Sequence, residues 1–554
     1  MDFEEMKSER SVKEETSSVE CDRHDLEKGE PSIEEEKARQ DTNKTQDNNP
    51  LDDLPDDLER HLSRRSSRKH KHQLQHEAYP EMDLDKGLVG WDGQDDPLNP
   101  RNFPDSRKWC LLLLVSAITF VSPLASSMFA PGVSFMDAEF HNTSTILSSF
   151  SVSIFVLGFV IGPLFLSPLS EIYGRRPVLN YSNCFFVVWN LGCALAPNLA
   201  GLLVMRFLGG VGGSACLTVG GGVIADLFLP EQRGLATSVY SLGALFGPVL
   251  GPICGGFIAQ LAGWRWVYWV LLMASAAVTG GIIVMNRETN PAVIIKQKVK
   301  RLRKDLNRPE LRSVYTQNLS ERQLRTSFII SRGFLRPIKL LLTSPIVLLL
   351  SLYVSFVFGL LYLIFTTITT VYIETYNWPP DLCGLAYLGV GIGFFIGIIF
   401  VAKTNDATII RLTKANNNVY EPEMRLPTCV IFGILIPISF FWYGWTTEKH
   451  VHWIVPIIGL LPFGIGMMGI FGPIQTYLID VFPTFAASAV AALTVSRCLF
   501  GALLPLAGPA MYESLGLGWG NSLLGFVAMA LIPVPALIYR FGGMVRKKYP
   551  VHID

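Results

Sequence analysis

Runs of at least eighteen mostly apolar residues recur along this chain, and each is long enough to cross the roughly 30 Å hydrocarbon core of a bilayer as a helix. Twelve emerge. Six lie near residues 109–131, 147–169, 177–196, 199–225, 235–261 and 265–286, and six near 342–370, 381–402, 427–446, 453–478, 486–511 and 518–540. Inside lipid every backbone N–H and C=O has to find a partner within the protein, which makes each run a helix. The expected fold is an all-α membrane protein with twelve transmembrane helices in two pseudo-symmetric six-helix bundles. Composition agrees: 49% of residues are hydrophobic and 17% charged, a balance that excludes an ordinary soluble enzyme.

A formal net charge of zero conceals strong segregation. Residues 1–96 are rich in Glu, Asp, Lys, Arg and Ser and nearly free of aromatics, so they are expected to form a disordered tail. Within it, the basic run from Ser63 to Lys71 reads either as solvated charge or as a target for a kinase or anionic lipid. Bundles are expected over 97–286 and 340–540, joined by a basic link at 287–339 and followed by a short tail at 541–554. The link carries fourteen Lys or Arg against four Asp or Glu, and Val299 to Leu306 reads as an amphipathic helix on the membrane surface. Arg175, Arg176 and Arg233 fall on the same side as the link and as Arg540, Arg546, Lys547 and Lys548. The excess of bases places both termini and the link in the cytoplasm. The opposite loops are poor in bases, Lys449 excepted, and the first contains Asn142-Thr143-Ser144, a glycosylation acceptor pattern. The N-terminus lacks the layout of a cleaved signal, so the first span is expected to direct insertion.

Within the spans, Gly243, Gly247, Gly251 and Gly255 stand four residues apart in the fifth run. That spacing gives one helix face on which a neighbouring backbone can come close. Pro248 and Pro252 interrupt the same run, and a bend is expected there. Gly389, Gly393 and Gly397 repeat the spacing in the eighth run. After the second run come Glu171, Gly174, Arg175 and Arg176: a carboxylate, a glycine turn and two arginines. Glu171 can pair with Arg175 or cap a neighbouring helix, and Asp226, closing the fourth run, is a second partner for Arg175 or Arg176. The plainer alternative is a tight basic turn with no gating role. Arg206 lies deep in the fourth run and Arg497 deep in the eleventh, where a charge needs a polar cavity, a partner or free carbonyls.

These motifs resemble those of the major facilitator superfamily. The stretch through Gly243, Gly247-Pro248, Gly251-Pro252 and Gly255-Gly256 resembles its fifth-helix antiporter motif, which marks exporters. The loop at 167–176 resembles its Gly-x-x-x-Asp-x-x-Gly-Arg-Arg signature, with Ser167 for the first glycine and Glu171 for the aspartate. Arg206 with Gly210 resembles its fourth-helix Arg-x-x-x-Gly motif, implicated in proton coupling. Trp91 to Phe103, with Asp96-Pro97 and Asn99-Pro100, resembles the pre-helical segment of fungal drug exporters, Phe103 standing for the last tryptophan. From residue 91 onward the chain is similar to the twelve-span fungal drug:proton antiporters. The resemblance implies gating by Glu171, Gly174, Arg175, Arg176 and Asp226. It implies proton coupling through Arg206 with Glu171 and Asp226, and two lobes rocking about a midplane site.

Glu171, Asp226, Glu374 and Asp480 all lie at span ends, and no carboxylate lies near a span centre. A carrier of strong cations needs one there to offset the buried positive charge. The pathway offers Asn190, Phe356, Tyr362, Gln475, Tyr477 and Arg497 instead, a lining suited to neutral or anionic amphiphiles. Each of these aromatics also serves equally well as helix packing. The expected function is secondary efflux of lipophilic drugs or toxic metabolites in exchange for protons, by a monomer in the plasma membrane. A polyamine or nutrient carrier and a transport-dead membrane sensor are the alternatives. Nine cysteines without Cys-x-x-Cys or histidine spacing imply neither a metal nor a disulfide framework, and no cofactor or nucleic acid is expected. No Gly-x-x-x-x-Gly-Lys-Ser/Thr loop is present for a motor ATPase, and no nucleophile, base and orienting group gather for an enzyme.

Overall fold

The computed structural model describes residues 79–229, 232–317, 326–417, 419–482 and 486–548. The basic run at Ser63 to Lys71 lies outside the described residues, as does most of the expected tail. The first half holds α1 (Asp105–Ser127), α2 (Thr145–Ile172), α3 (Arg175–Ala194), α4 (Leu199–Leu227), α5 (Arg233–Ala262) and α6 (Trp264–Met285). The second holds α7 (Pro345–Tyr376), α8 (Leu388–Ala415), α9 (Pro427–Gly433, continued by Leu435–Glu448) and α10 (Ile454–Gly459, continued by Leu461–Val481). Ala486–Leu531 and Pro533–Lys548 then form one helical run broken at Gly516, which holds φ 73° and separates α11 (486–515) from α12 (517–548).

Among the described residues, ten helical segments are long and apolar enough to cross a membrane. One of them, Ser488–Arg546, contains both α11 and α12. The helix outside that set is α3, whose asparagines at 180, 183 and 190 dilute its apolar character. The starts are written locally. Ser144, Asn198 and Ser344 each accept a hydrogen bond from a first-turn N–H, opening α2, α4 and α7.

The two halves repeat one packing scheme. α1 lies on α5, α2 on α4 and α3 on α6, and correspondingly α7 lies on α11, α8 on α10 and α9 on α12. The glycine face of α5 works as its spacing predicts. A Cβ at Gly243 or Gly247 would sit 2.6 Å from the carbonyl oxygen of Ser116 or Phe120 on α1, and one at Gly255 would collide with that of Met128, the residue that caps α1. Proline at 252 leaves the Pro248 carbonyl without its helical donor, and the Ser127 hydroxyl of α1 donates to that carbonyl at 3.0 Å. The glycines of α8 close on a different pair. Gly389 and Gly393 meet the Ile457 and Leu461 carbonyls of α10, as Gly158 of α2 meets the Val211 N–H of α4.

Two features depart from the sequence expectation. Lys403 to Arg411, beyond the eighth apolar run as read at 381–402, lies inside α8, which runs on to Ala415 because no glycine or proline interrupts it. Residues 79–96, expected within the disordered tail, are folded. Leu88–Val89 pairs in parallel with Arg312–Ser313 of the link. Trp91, buried to 1% exposure, packs with Ile295, Val299 and Leu311 and donates from Nε1 to the Tyr315 hydroxyl at 3.0 Å. Lys298 of the link helix Pro291–Asp305 pairs with Asp92 at 2.7 Å and Asp96 at 3.7 Å. The link helix carries the expected amphipathic stretch; the pre-helical segment supplies its apolar partner.

Candidate functional site

The loop between α2 and α3 is a charged cluster assembled from four elements. Gly174 holds φ 105° in the turn, and any Cβ there would strike the Glu288 carboxylate. That carboxylate accepts the backbone N–H of Arg175 at 2.8 Å and of Arg176 at 3.2 Å, so Glu288 caps the N-terminus of α3, where the helix dipole favours an anion. It also accepts the Thr289 and Asn290 N–H groups of its own turn. The Arg175 side chain donates to Asp226 at 3.3 Å and to the Ser170 hydroxyl at 2.6 Å, and Thr289 donates to Asp226 at 3.3 Å. Gly222, one turn before Asp226, leaves room for the guanidinium; a Cβ there would lie 2.8 Å from its Cζ. Glu171 makes no ion pair with Arg175 among the described residues. The capping role considered for Glu171 belongs to Glu288, and the pairing role to Asp226. Among the described residues, Arg176 joins this network through its backbone N–H alone. Sequence reading missed Glu288 as a ligand of this turn, because 113 residues separate it from Arg175. Its position directly after an apolar span was the available signal.

The same face carries a second cluster in the other half. Arg425, just before α9, donates to Asp480 near the end of α10 at 2.6 Å, as Arg175 at the start of α3 donates to Asp226 near the end of α4. Tyr420 shares Asp480, donating at 2.5 Å; burial and that carboxylate push its phenol above its ordinary pKa. Arg546 on α12 pairs with Glu423 at 2.9 Å. The counterpart of the first charged loop is thus this group.

Deep in the bundle, Arg206 is 1% exposed. It donates to the Tyr268 hydroxyl at 2.9 Å and to the Ser126 and Val152 carbonyls at 3.2 Å each, and its Cζ lies 5.0 Å from the Phe129 ring centroid. Ser126 lies in the last turn of α1, where carbonyls lack helical donors and a cation is favoured. Arg206 therefore ties α4 to α1, α2 and α6. The Ser126 hydroxyl in turn shares a hydrogen bond of 3.0 Å with Tyr362 of α7, crossing between the halves. Beyond it, Arg497 of α11 lies 4.8 Å from the ring centroids of both Phe358 and Phe471. Phe356 and Tyr477 are buried, and Gln475 is partly exposed. Asn190 is buried too and donates to the carbonyl of Phe186 in its own helix at 3.0 Å. An apolar cavity of about 600 Å³ lies elsewhere, between α8 and α10 beside Trp378 and Trp453. At the opposite face, α5 meets the start of α8: a Cβ at Gly256 would be 2.9 Å from the Asp381 carbonyl and one at Gly384 2.6 Å from that of Pro252. Asn142 lies on that face, its side-chain amide donating to Asp137, Ser148 and the Ser144 carbonyl.

Residues 115–505 match the family model of the Major Facilitator Superfamily. The chain belongs to that superfamily. It is a multi-pass membrane transporter of this superfamily, not an enzyme. It is 46% identical over 467 residues to MFS transporter cpaT of Aspergillus oryzae, covering 84% of this chain and 93% of that one. It is 47% identical over 462 residues to MFS-type transporter penM of Penicillium rubens, covering 83% and 90%. Efflux pump radE of Floropilus chiversii is 42% identical over 467 residues, with 84% and 86% covered. The superfamily fold is also seen in the partially occluded, inward-open xylose transporter XylE of E. coli, with TM-score 0.59 and 17% identity over 79% of this chain and 98% of that one.

Proposed function

We propose that this transporter exports small lipophilic metabolites or drugs, taking up protons in exchange. The observation that carries the reading is the centre of the molecule, where aromatic side chains and two arginines meet with no carboxylate near a span midpoint. Such a centre suits neutral or anionic amphiphiles and opposes polyamines. The efflux pump among the relatives agrees in direction. In this reading the Arg175–Asp226 pair, with Glu288 on the α3 N-terminus, is a gate that breaks when the halves rock. Asp226 and Glu171 are the acidic groups that take the proton, with Arg206 modulating. The face carrying both charged clusters and the link lies in the cytoplasm, in keeping with its basic residues. The Asn142 loop then faces outward, and the protein works as a monomer in the plasma membrane.

The test is proton flux in proteoliposomes, driven by neutral lipophilic drugs and, separately, by spermidine, with Glu171→Gln, Asp226→Asn and Arg206→Ala as comparisons. Drug-driven flux lost in Asp226→Asn is the expected result. Flux with spermidine alone overturns the substrate reading, and drug transport without proton movement overturns the coupling.

A further inference from the structure

The two central arginines differ in one decisive respect. Arg206 spends both terminal nitrogens on a hydroxyl and two carbonyls, and only its Nε is without a partner among the described residues. Arg497 has two aromatic rings 4.8 Å from its Cζ and no hydrogen-bond or ion-pair acceptor among the described residues, its Nε included. Cation–π contacts answer a guanidinium's charge but leave its five N–H donors unused, and those donors are matched in shape to a carboxylate. Arg497 is not sealed off: it is partly exposed, as is Gln475 one turn beyond Phe471, and a Cβ on neighbouring Gly472 would meet nothing within 4 Å. It sits eleven residues into the thirty of α11, and the Phe358 ring beside it lies 5.2 Å from that of Tyr362 between centroids.

Resting on the export reading above, we infer that Arg497 is the binding site for the acidic group of the substrate, which is a lipophilic aromatic organic acid carried as its anion. The carboxylate oxygens take the open N–H donors, while the substrate's ring system lies against Phe358 and Phe471. Tyr362, whose ring lies 5.2 Å from that of Phe358, shares the Ser126 hydrogen bond, so the bound anion lies beside one of the contacts between the halves.

The experiment compares 2-naphthoate with its uncharged isostere 2-naphthamide, binding to the full-length protein in lipid nanodiscs. The wild type should hold the anion at least about tenfold tighter, the scale of one charge-assisted hydrogen bond. Arg497→Gln should erase the difference while keeping a wild-type circular dichroism spectrum, which reports an intact fold, and Arg497→Lys should keep part of it. Undiminished naphthoate preference in Arg497→Gln, or no preference in the wild type, overturns the assignment. Cellular efflux of neutral drugs is measured alongside. Arg497-dependent anion binding with no export of any compound sinks the export reading and leaves the site, whereas export of neutral drugs without Arg497-dependent binding does the reverse.

Discussion

Replacing Gly174 by alanine asks an L-residue to hold φ 105° with a methyl group driven into the Glu288 carboxylate. Strain of this kind costs on the order of 1–3 kcal/mol, so Gly174→Ala should lower the thermal midpoint of the solubilised protein and weaken transport. Glu288→Gln should do both more mildly, because it keeps the shape and loses the charge on the α3 N-terminus. At Arg206 the structure allows a sharper distinction. Arg206→Met removes the donor to Tyr268, Ser126 and Val152, leaving buried polar groups that cost about 1–3 kcal/mol each when unpaired. Folded yield should therefore fall together with transport; a variant that melts like the wild type and only fails to transport would contradict this. The sequence exposed Arg206, Arg175 and Asp226 as unusual, since a charge inside or at the end of an apolar run stands out by itself. It left open which carboxylate served which arginine. Glu171, four residues from Arg175, was the natural expectation, and only the fold carries Glu288 across to take the cap.

Among the elements, the α1–α5 contact was legible from one side only. Four-residue spacing identified the glycine face, but nothing in it named α1 as the partner. Gly255→Ala should destabilise strongly, since its methyl meets the Met128 carbonyl, while Gly280→Ala, with nothing within 4 Å, should be silent in the same melting assay. The length of α8 was misjudged for a physical reason: hydropathy ends where the first charges appear, whereas a helix continues until its backbone is interrupted. The folded segment from Tyr79 to Phe103 was hidden because Trp91 is an isolated aromatic, and its apolar partners Ile295, Val299 and Leu311 lie some two hundred residues on. Trp91→Ala removes the largest side chain of that small core, a change worth about 3–5 kcal/mol in a well-packed site. Limited trypsin digestion should then cut at Lys296 to Arg303 faster than in the wild type; equal rates would mean the segment is held in some other way.

Across the whole molecule, the six-link-six repeat was readable from the twelve runs, and the repeated pairing of helices follows it. Repetition is harder to see in the charges. Arg425–Asp480 mirrors Arg175–Asp226 in position, yet the intervening sequence has diverged too far to show it. If the contact of α5 with the start of α8 opens during the cycle, cross-linking Gly256→Cys to Asp381→Cys, with Cys254 and Cys383 replaced by serine, should stop transport, and reduction should restore it. Unaltered transport in the cross-linked protein would mean the halves do not separate there. The arginines at the centre carry one more consequence. A carrier that opens alternately to each side stands, for moments, as a near-pore between compartments rich in potassium and protons. Fixed positive charge in a low-dielectric constriction repels such ions, as an arginine does in water-conducting channels. On the export reading, Arg497, its charge answered by two rings alone, puts such a barrier at the centre, so that a membrane potential of 100 mV, about 2.3 kcal/mol per charge, is not dissipated as a solute passes.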